Sequence, residues 1–170
     1  MRIRSGVFFG LSIPEIRQGL AHVSITQNRT EWLTAGNGAA ILSDVYNANP
    51  TAMGLVLDTF KNLPTKGRRI AVLADMLELG KDSLNMHAQM SEHIDPEKFA
   101  MISCTGEQMH ALKEDLNQKY PQLPVFYFEK EKNKLIEAVK QNLESTDSIM
   151  LKGSNSMGLF EVVEQLQQMK

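Results

Sequence analysis

What this sequence has little of narrows its class before any motif is read. One residue in 170 is cysteine, Cys104, so no internal disulfide can form and a secreted, disulfide-stapled scaffold is excluded. Neither sign of charge dominates: 18 Lys+Arg stand against 20 Asp+Glu, a formal charge of −2, which offers no reason to expect a nucleic-acid or anionic-membrane surface. No apolar run approaches the roughly 18 residues of a membrane span, and Met1 to Ser5 leads into only a brief apolar stretch at 7–11. Export and membrane insertion are therefore not indicated, and a reduced, cytoplasmic compartment is expected. Internal repeats and low-complexity tracts are missing as well. What is present is a 42% apolar fraction, enough to build one core and to exclude a disordered chain.

The apolar residues divide the chain into two parts. Residues 1–36 hold a helix signal and no buried-strand pattern: Ser12-Ile13-Pro14-Glu15 has the spacing of a capping box, followed by Ile16 and Leu20, which predicts a short helix over about 14–20. From Gly38 onward, short apolar runs at 39–42, 70–74, 99–102, 125–128 and 149–151 alternate with amphipathic stretches. The runs are nearly continuous, as in strands covered on both faces. Helical stripes follow each of them: Met53, Val56, Leu57, Phe60; Met86, Met90, Ile94; Met109, Leu112, Leu116; Leu135, Ile136, Val139, Leu143; and Leu159, Phe160, Val162, Val163, Leu166. Five βα units predict an α/β fold, a Rossmann-like, mostly parallel sheet with helices on both faces.

Ligands bind such sheets beyond the carboxyl ends of the strands, so chemistry is sought there. The first strand is followed by Asp44-Val45-Tyr46-Asn47-Ala48-Asn49-Pro50, where Asn49 before Pro50 is a cap signal, and Asp44, Tyr46 and Asn47 exceed what a cap requires. The second is followed by Asp75, at a position where an acid can accept ribose hydroxyls or simply sit at a surface strand end, and by Glu78, which reads as a solvated charge. The third ends at Cys104, without a nearby base and so a small buried hydrophobe rather than a nucleophile. The fifth leads to Lys152-Gly153-Ser154-Asn155-Ser156-Met157-Gly158. Its two glycines have phosphate-loop spacing, but Leu159-Phe160 stand where Lys and Ser/Thr are needed, so it can meet an anion without being a P-loop. His22, His93 and His110 lack zinc-ligand spacing, and no metal site is expected. Hydrolase and metalloprotease motifs are absent.

In order and spacing, Asp44-x-Tyr46-Asn47-Ala48-Asn49-Pro50, the segment 70–80 with His87 downstream, and Leu151-Lys152-Gly153-Ser154-Asn155-Ser156-Met157 resemble the C-terminal domain of the Mur ligase family, and within it the ligases that add D-alanyl-D-alanine. Asn28-Arg29-Thr30-Glu31 is similar to the Gly-Arg-x-Glu stretch that closes the family's central domain. The likeness runs from about residue 9 to the C-terminus, with two departures: Ala74 and Asn28 each stand where the family usually has Gly. The resemblance implies that 1–36 is the tail of the central ATPase domain, its helix a short remnant, and that 37–170 is the C-terminal domain. The implied activity is addition of D-alanyl-D-alanine to UDP-MurNAc-tripeptide in peptidoglycan precursor synthesis in the bacterial cytoplasm. ATP phosphorylates the tripeptide carboxylate, and the dipeptide amine attacks the acyl phosphate. The implied cofactors are ATP and Mg, with the P-loop and Mg ligands in a central domain this sequence does not carry, so the chain alone is expected to be inactive. The implied partners are the remaining N-terminal and central domains together with ATP, UDP-MurNAc-tripeptide and D-Ala-D-Ala, with no nucleic acid and no membrane. Matched residue by residue, Tyr46, Asn47 and Asn49 border the adenine, Asp75 accepts ribose hydroxyls and Arg29 faces the phosphates. Lys152, Ser154 and Asn155 lie toward the dipeptide or the γ-phosphate, and His87 has no implied role.

Two other classes share the pattern. A receiver-like binding module fits Asp44 and Lys152 loosely, but its third strand would need a phosphoacceptor aspartate where Cys104-Thr105 stands. A structural protein packing through Met-rich helices is the third, although Met53, Met86, Met90 and Met109 read more simply as core filler.

Overall fold

All five apolar runs become parallel strands in the computed structural model, which describes residues 30–169. The helix expected over 14–20, His22 and Arg29 lie outside the described residues. The strands are β2 (Ala40–Asp44), β3 (Arg69–Ala74), β4 (Met101–Thr105), β5 (Val125–Tyr127) and β6 (Ser148–Lys152). A further strand, β1 (Glu31–Thr34), pairs antiparallel with β2, and the sheet order is β1-β2-β6-β3-β4-β5. The sequence pattern does not announce β1, because a four-residue edge strand that is only partly covered, and on one side alone, carries no continuous apolar run. Its Trp32 is 52% exposed. At the opposite edge β5 departs from the expectation of a strand covered on both faces: among the described residues nothing pairs beyond it, and Phe126 is 41% exposed.

Strand periodicity sorts the core into two layers. Ile70, Val72 and Ala74 of β3 face one side with Ile41, Ile149 and Leu151, and are covered by α4 (Lys132–Asn142) and α5 (Leu159–Gln167). Ala71 and Leu73 face the other side with Leu42, Ile102, Cys104 and Met150. They are covered by α1 (Pro50–Phe60), by α2 (Ser83–Ala88) with the 3-10 turn Gln89–His93, and by α3 (His110–Lys119). The methionine stripes serve as packing here, since Met53, Met90 and Met109 are all buried in the second layer. α1 starts where the sequence says it must: Asn49 Oδ1 accepts from the Ala52 amide at 2.8 Å, and Pro50 occupies the first turn.

This winding defines where a ligand can sit. β6 lies between β2 and β3, yet the helix after β6 covers one face and the helices after β2 and β3 cover the other. Adjacent strands whose following helices diverge leave a crevice at their carboxyl ends.

Candidate functional site

Register brings Asp44 and Lys152, the last residues of β2 and β6, side by side. The Lys152 side chain is 1% exposed, and its ammonium donates to Asp44 Oδ2 at 2.6 Å and to the Asn47 carbonyl at 2.9 Å. A buried cation requires such partners, because desolvation would otherwise outweigh any gain from packing its stem. Two of its three protons are thereby used. The other Asp44 oxygen accepts from the Thr30 amide at 3.2 Å, and Thr30 itself has φ 47, a left-handed backbone uncommon outside glycine. Thr30, Asp44, Asn47, Ala52 and Lys152 line a cleft of about 240 Å³. A larger cleft of about 490 Å³, lined by Thr65, Lys66, Ser145 and Thr146 among others, opens at the amino ends of β2 and β6, away from the switch point.

On the other side of β6 from Asp44, Asp75 follows the last residue of β3 and is 4% exposed. Oδ1 accepts from the Met109 amide at 2.9 Å, and both oxygens accept from the Gln108 amide at 3.1 Å. The carboxylate thus serves the amides that enter α3, where a negative charge also meets the positive end of the helix. The approach is close enough that residue 106 must be glycine: a Cβ there would overlap the Asp75 carboxylate, and φ is +111. Such a carboxylate offers about four lone-pair positions, so acceptor capacity remains on Oδ2.

The loop after Asp75 is pinned to the loop after β6. Ser154 N donates to the Asp75 carbonyl at 3.1 Å, and Leu77 N donates to Ser154 Oγ at 3.0 Å. Gly153 permits this approach, since a Cβ there would stand 2.5 Å from the Ala74 Cβ. Ala74, the departure from the usual family glycine, is therefore accommodated by a glycine on the neighbouring strand end. His87 is fully buried: Nε2 accepts from the Met76 amide at 3.0 Å, and Nδ1 donates to the Ser83 carbonyl at 2.7 Å.

Of the residues expected at the site, Asn47 and Lys152 share one cleft. Tyr46 and Asn49 lie exposed on the same loop, Asn49 serving as the α1 cap, while Ser154 and Asp75 meet through the backbone on the other side of β6. Asn155 is exposed in the turn Asn155–Met157. Arg29 lies outside the described residues. Asp44's pairing with Lys152 was not readable from the chain, because only the strand order makes the ends of β2 and β6 neighbours. The same holds for the Gln108 and Met109 amides, which leave no side-chain signature. Cys104 is buried as expected, and burial first, with Asp75 nearby second, pushes its thiol up to about 12. Glu78 is exposed. Among the described residues no group of three His, Cys, Asp or Glu side chains could hold a metal ion, and no helix is long and apolar enough to cross a membrane.

A doubly wound α/β domain with a paired Lys–Asp and a polar, backbone-pinned loop set at its switch point is thus the class that fold and site define. The family model described as "Mur ligase, glutamate ligase domain" matches residues 28–155, and the chain belongs to that family. It is 31% identical over 164 residues to the UDP-N-acetylmuramoyl-tripeptide--D-alanyl-D-alanine ligase of Bacillus subtilis, covering 96% of this chain and 36% of the relative. Against the ligase of the same name from Escherichia coli it is 28% identical, covering 94% of this chain and 34% of the relative. The chain spans about a third of the length of these relatives. Two solved structures share the fold: MurF from Acinetobacter baumannii, with a TM-score of 0.77, 19% identity and coverage of 98% of this chain and 36% of that one, and MurF ligase from Thermotoga maritima in complex with ADP, with a TM-score of 0.75, 18% identity and the same coverages.

Proposed function

We propose that this chain works as the C-terminal domain of an ATP-dependent, peptide-bond-forming ligase that adds D-alanyl-D-alanine to UDP-MurNAc-tripeptide in the bacterial cytoplasm. The observation that carries the reading is the similarity over 96% of this chain to a curated ligase of that activity. The crevice at the β2/β6/β3 switch point agrees with it chemically. Tyr46, Asn47 and Asn49 present a phenol and two amides suited to a purine face and edge, and Arg29 would offset phosphate charge. Asp75 keeps acceptor capacity for a ribose hydroxyl. Lys152, Ser154 and Asn155 supply a cation, a hydroxyl and an amide for the dipeptide carboxylate or the transferring phosphoryl group.

ATP, when bound, supplies the phosphoryl group that makes the tripeptide carboxylate an electrophile, and Mg would be held by residues of the upstream domain. This chain's share is to orient the nucleotide and to hold the amine donor while water is excluded. Half a site forfeits preorganisation, so the chain alone is expected to show no ATP hydrolysis. Supplying the N-terminal and central domains should restore phosphate release that depends on both UDP-MurNAc-tripeptide and D-Ala-D-Ala. ATP turnover by the isolated chain, or no ligation by the assembled protein, would overturn the reading.

A further inference from the structure

From the buried imidazole we infer that His87 is a positioning residue whose task is to aim the Ser154 hydroxyl into the crevice. The side chain has no exposed surface: Nε2 accepts from the Met76 amide at 3.0 Å and lies 4.0 Å from Asp75 Oδ1, and Nδ1 gives its proton to the Ser83 carbonyl at 2.7 Å, with the Ser83 hydroxyl 3.4 Å away. Those two bonds select the Nδ1–H tautomer and tie the loop after β3 to the first turn of α2. Three successive backbone groups of that loop are then held. The Asp75 carbonyl is held by Ser154 N, the Met76 amide by His87, and the Leu77 amide by Ser154 Oγ. The next residue, Glu78, sits at φ 63, a conformation a non-glycine residue keeps only when its surroundings over-determine it.

The consequence falls on Ser154. Its oxygen accepts from Leu77, so the hydroxyl proton remains to be donated, at the carboxyl end of the sheet. The Asp75–Met76 peptide is held at both ends, its carbonyl by Ser154 N and its N–H by His87; rotation of that peptide would shift the Leu77 amide that follows it and release the hydroxyl from its orientation, and His87 blocks that rotation. The group this proton suits is an anionic oxygen, either a carboxylate of the incoming dipeptide or a phosphoryl oxygen. Only that last step rests on the ligase reading.

The test uses three substitutions with different acceptors. His87→Gln places an amide oxygen where Nε2 accepted, His87→Asn places an amide NH2 where Nδ1 donated and leaves the Met76 amide without its acceptor, and His87→Phe keeps volume with neither group. In the ligase assembled from this chain and the upstream domains, the Phe and Asn variants should raise KM for one substrate about tenfold with kcat nearly unchanged, the loss of one buried hydrogen bond. The Gln variant should return KM to within about twofold of the unsubstituted protein on the same reasoning. A rise for D-Ala-D-Ala identifies the carboxylate, and a rise for ATP identifies the phosphoryl oxygen. Unchanged KM values in the Phe and Asn variants, or a Gln variant as impaired as they are, would overturn the inference. If the unsubstituted assembly does not ligate, the ligase reading fails, and amide exchange in the 170-residue chain decides the positioning role. Met76 and Leu77 should exchange about tenfold faster in the Asn variant than in the Gln variant. Equal protection in both would overturn it.

Discussion

Lys152 shows how far a single residue's environment can depart from its position in the chain. A lysine at a strand end reads as solvated, yet this one is almost fully covered and depends on Asp44. Lys152→Met leaves the Asp44 carboxylate with one partner fewer in a nearly closed site, and should cost about 3–5 kcal/mol, the range for breaking a buried pair by removing one member. Adding Asn at position 44 should recover part of that loss in urea denaturation, because no charge is then left alone. Cys104 follows the simpler rule. With its thiol pushed to about 12, roughly one molecule in ten thousand is thiolate at pH 8. The folded chain should resist alkylation at that pH and react promptly in urea, which timed labelling will show.

Between elements, the tightest constraint joins the ends of β3 and β6. A Cβ on residue 153 would stand 2.5 Å from the Ala74 Cβ and 3.3 Å from its Cα, and neither can swing aside as the end of a long side chain could. Gly153→Ala should therefore destabilise the chain by about 1–3 kcal/mol, the range for overpacking a filled core. Ala74→Gly in the same chain should relieve most of it, and thermal denaturation of the two single variants and the double variant measures the coupling. The residues on either side of this contact are Asp75 and Ser154, so crowding here displaces the loops that build the crevice. Elements whose signal is local were legible before the structure: Asn49-Pro50 marks the start of α1, and the interior strands are read from their apolar runs. β1 was not, since its ladder bonds to β2 replace the apolar burial that marks an interior strand.

At the scale of the whole molecule, the two ends of the sheet do different work. The carboxyl end carries the switch-point crevice, while the amino end is tied together by Asp147, which accepts from Arg68 through N, Nε and Nη2 and from the Glu144 amide. Burial alone would raise the Asp147 carboxyl, but the Arg68 and backbone hydrogen bonds outweigh it and hold it below its ordinary value. A carboxyl lowered in the folded state stabilises at every pH above the unfolded value of about 3.9 and loses that contribution as pH falls through the folded value. The stability difference between the unsubstituted chain and Asp147→Asn should thus be constant from pH 7 to about 5 and shrink below about 4, as urea midpoints across that range will report. The sequence by itself determined the parallel α/β class, the Asn49 cap of α1 and the residue types offered at the strand ends, because periodicity and capping act over one turn or one strand. Which strand ends become neighbours was decided only in three dimensions. β6 is last in the chain yet inserts between β2 and β3, so Lys152 finds Asp44 and Ser154 finds Asp75 across separations that no local pattern encodes.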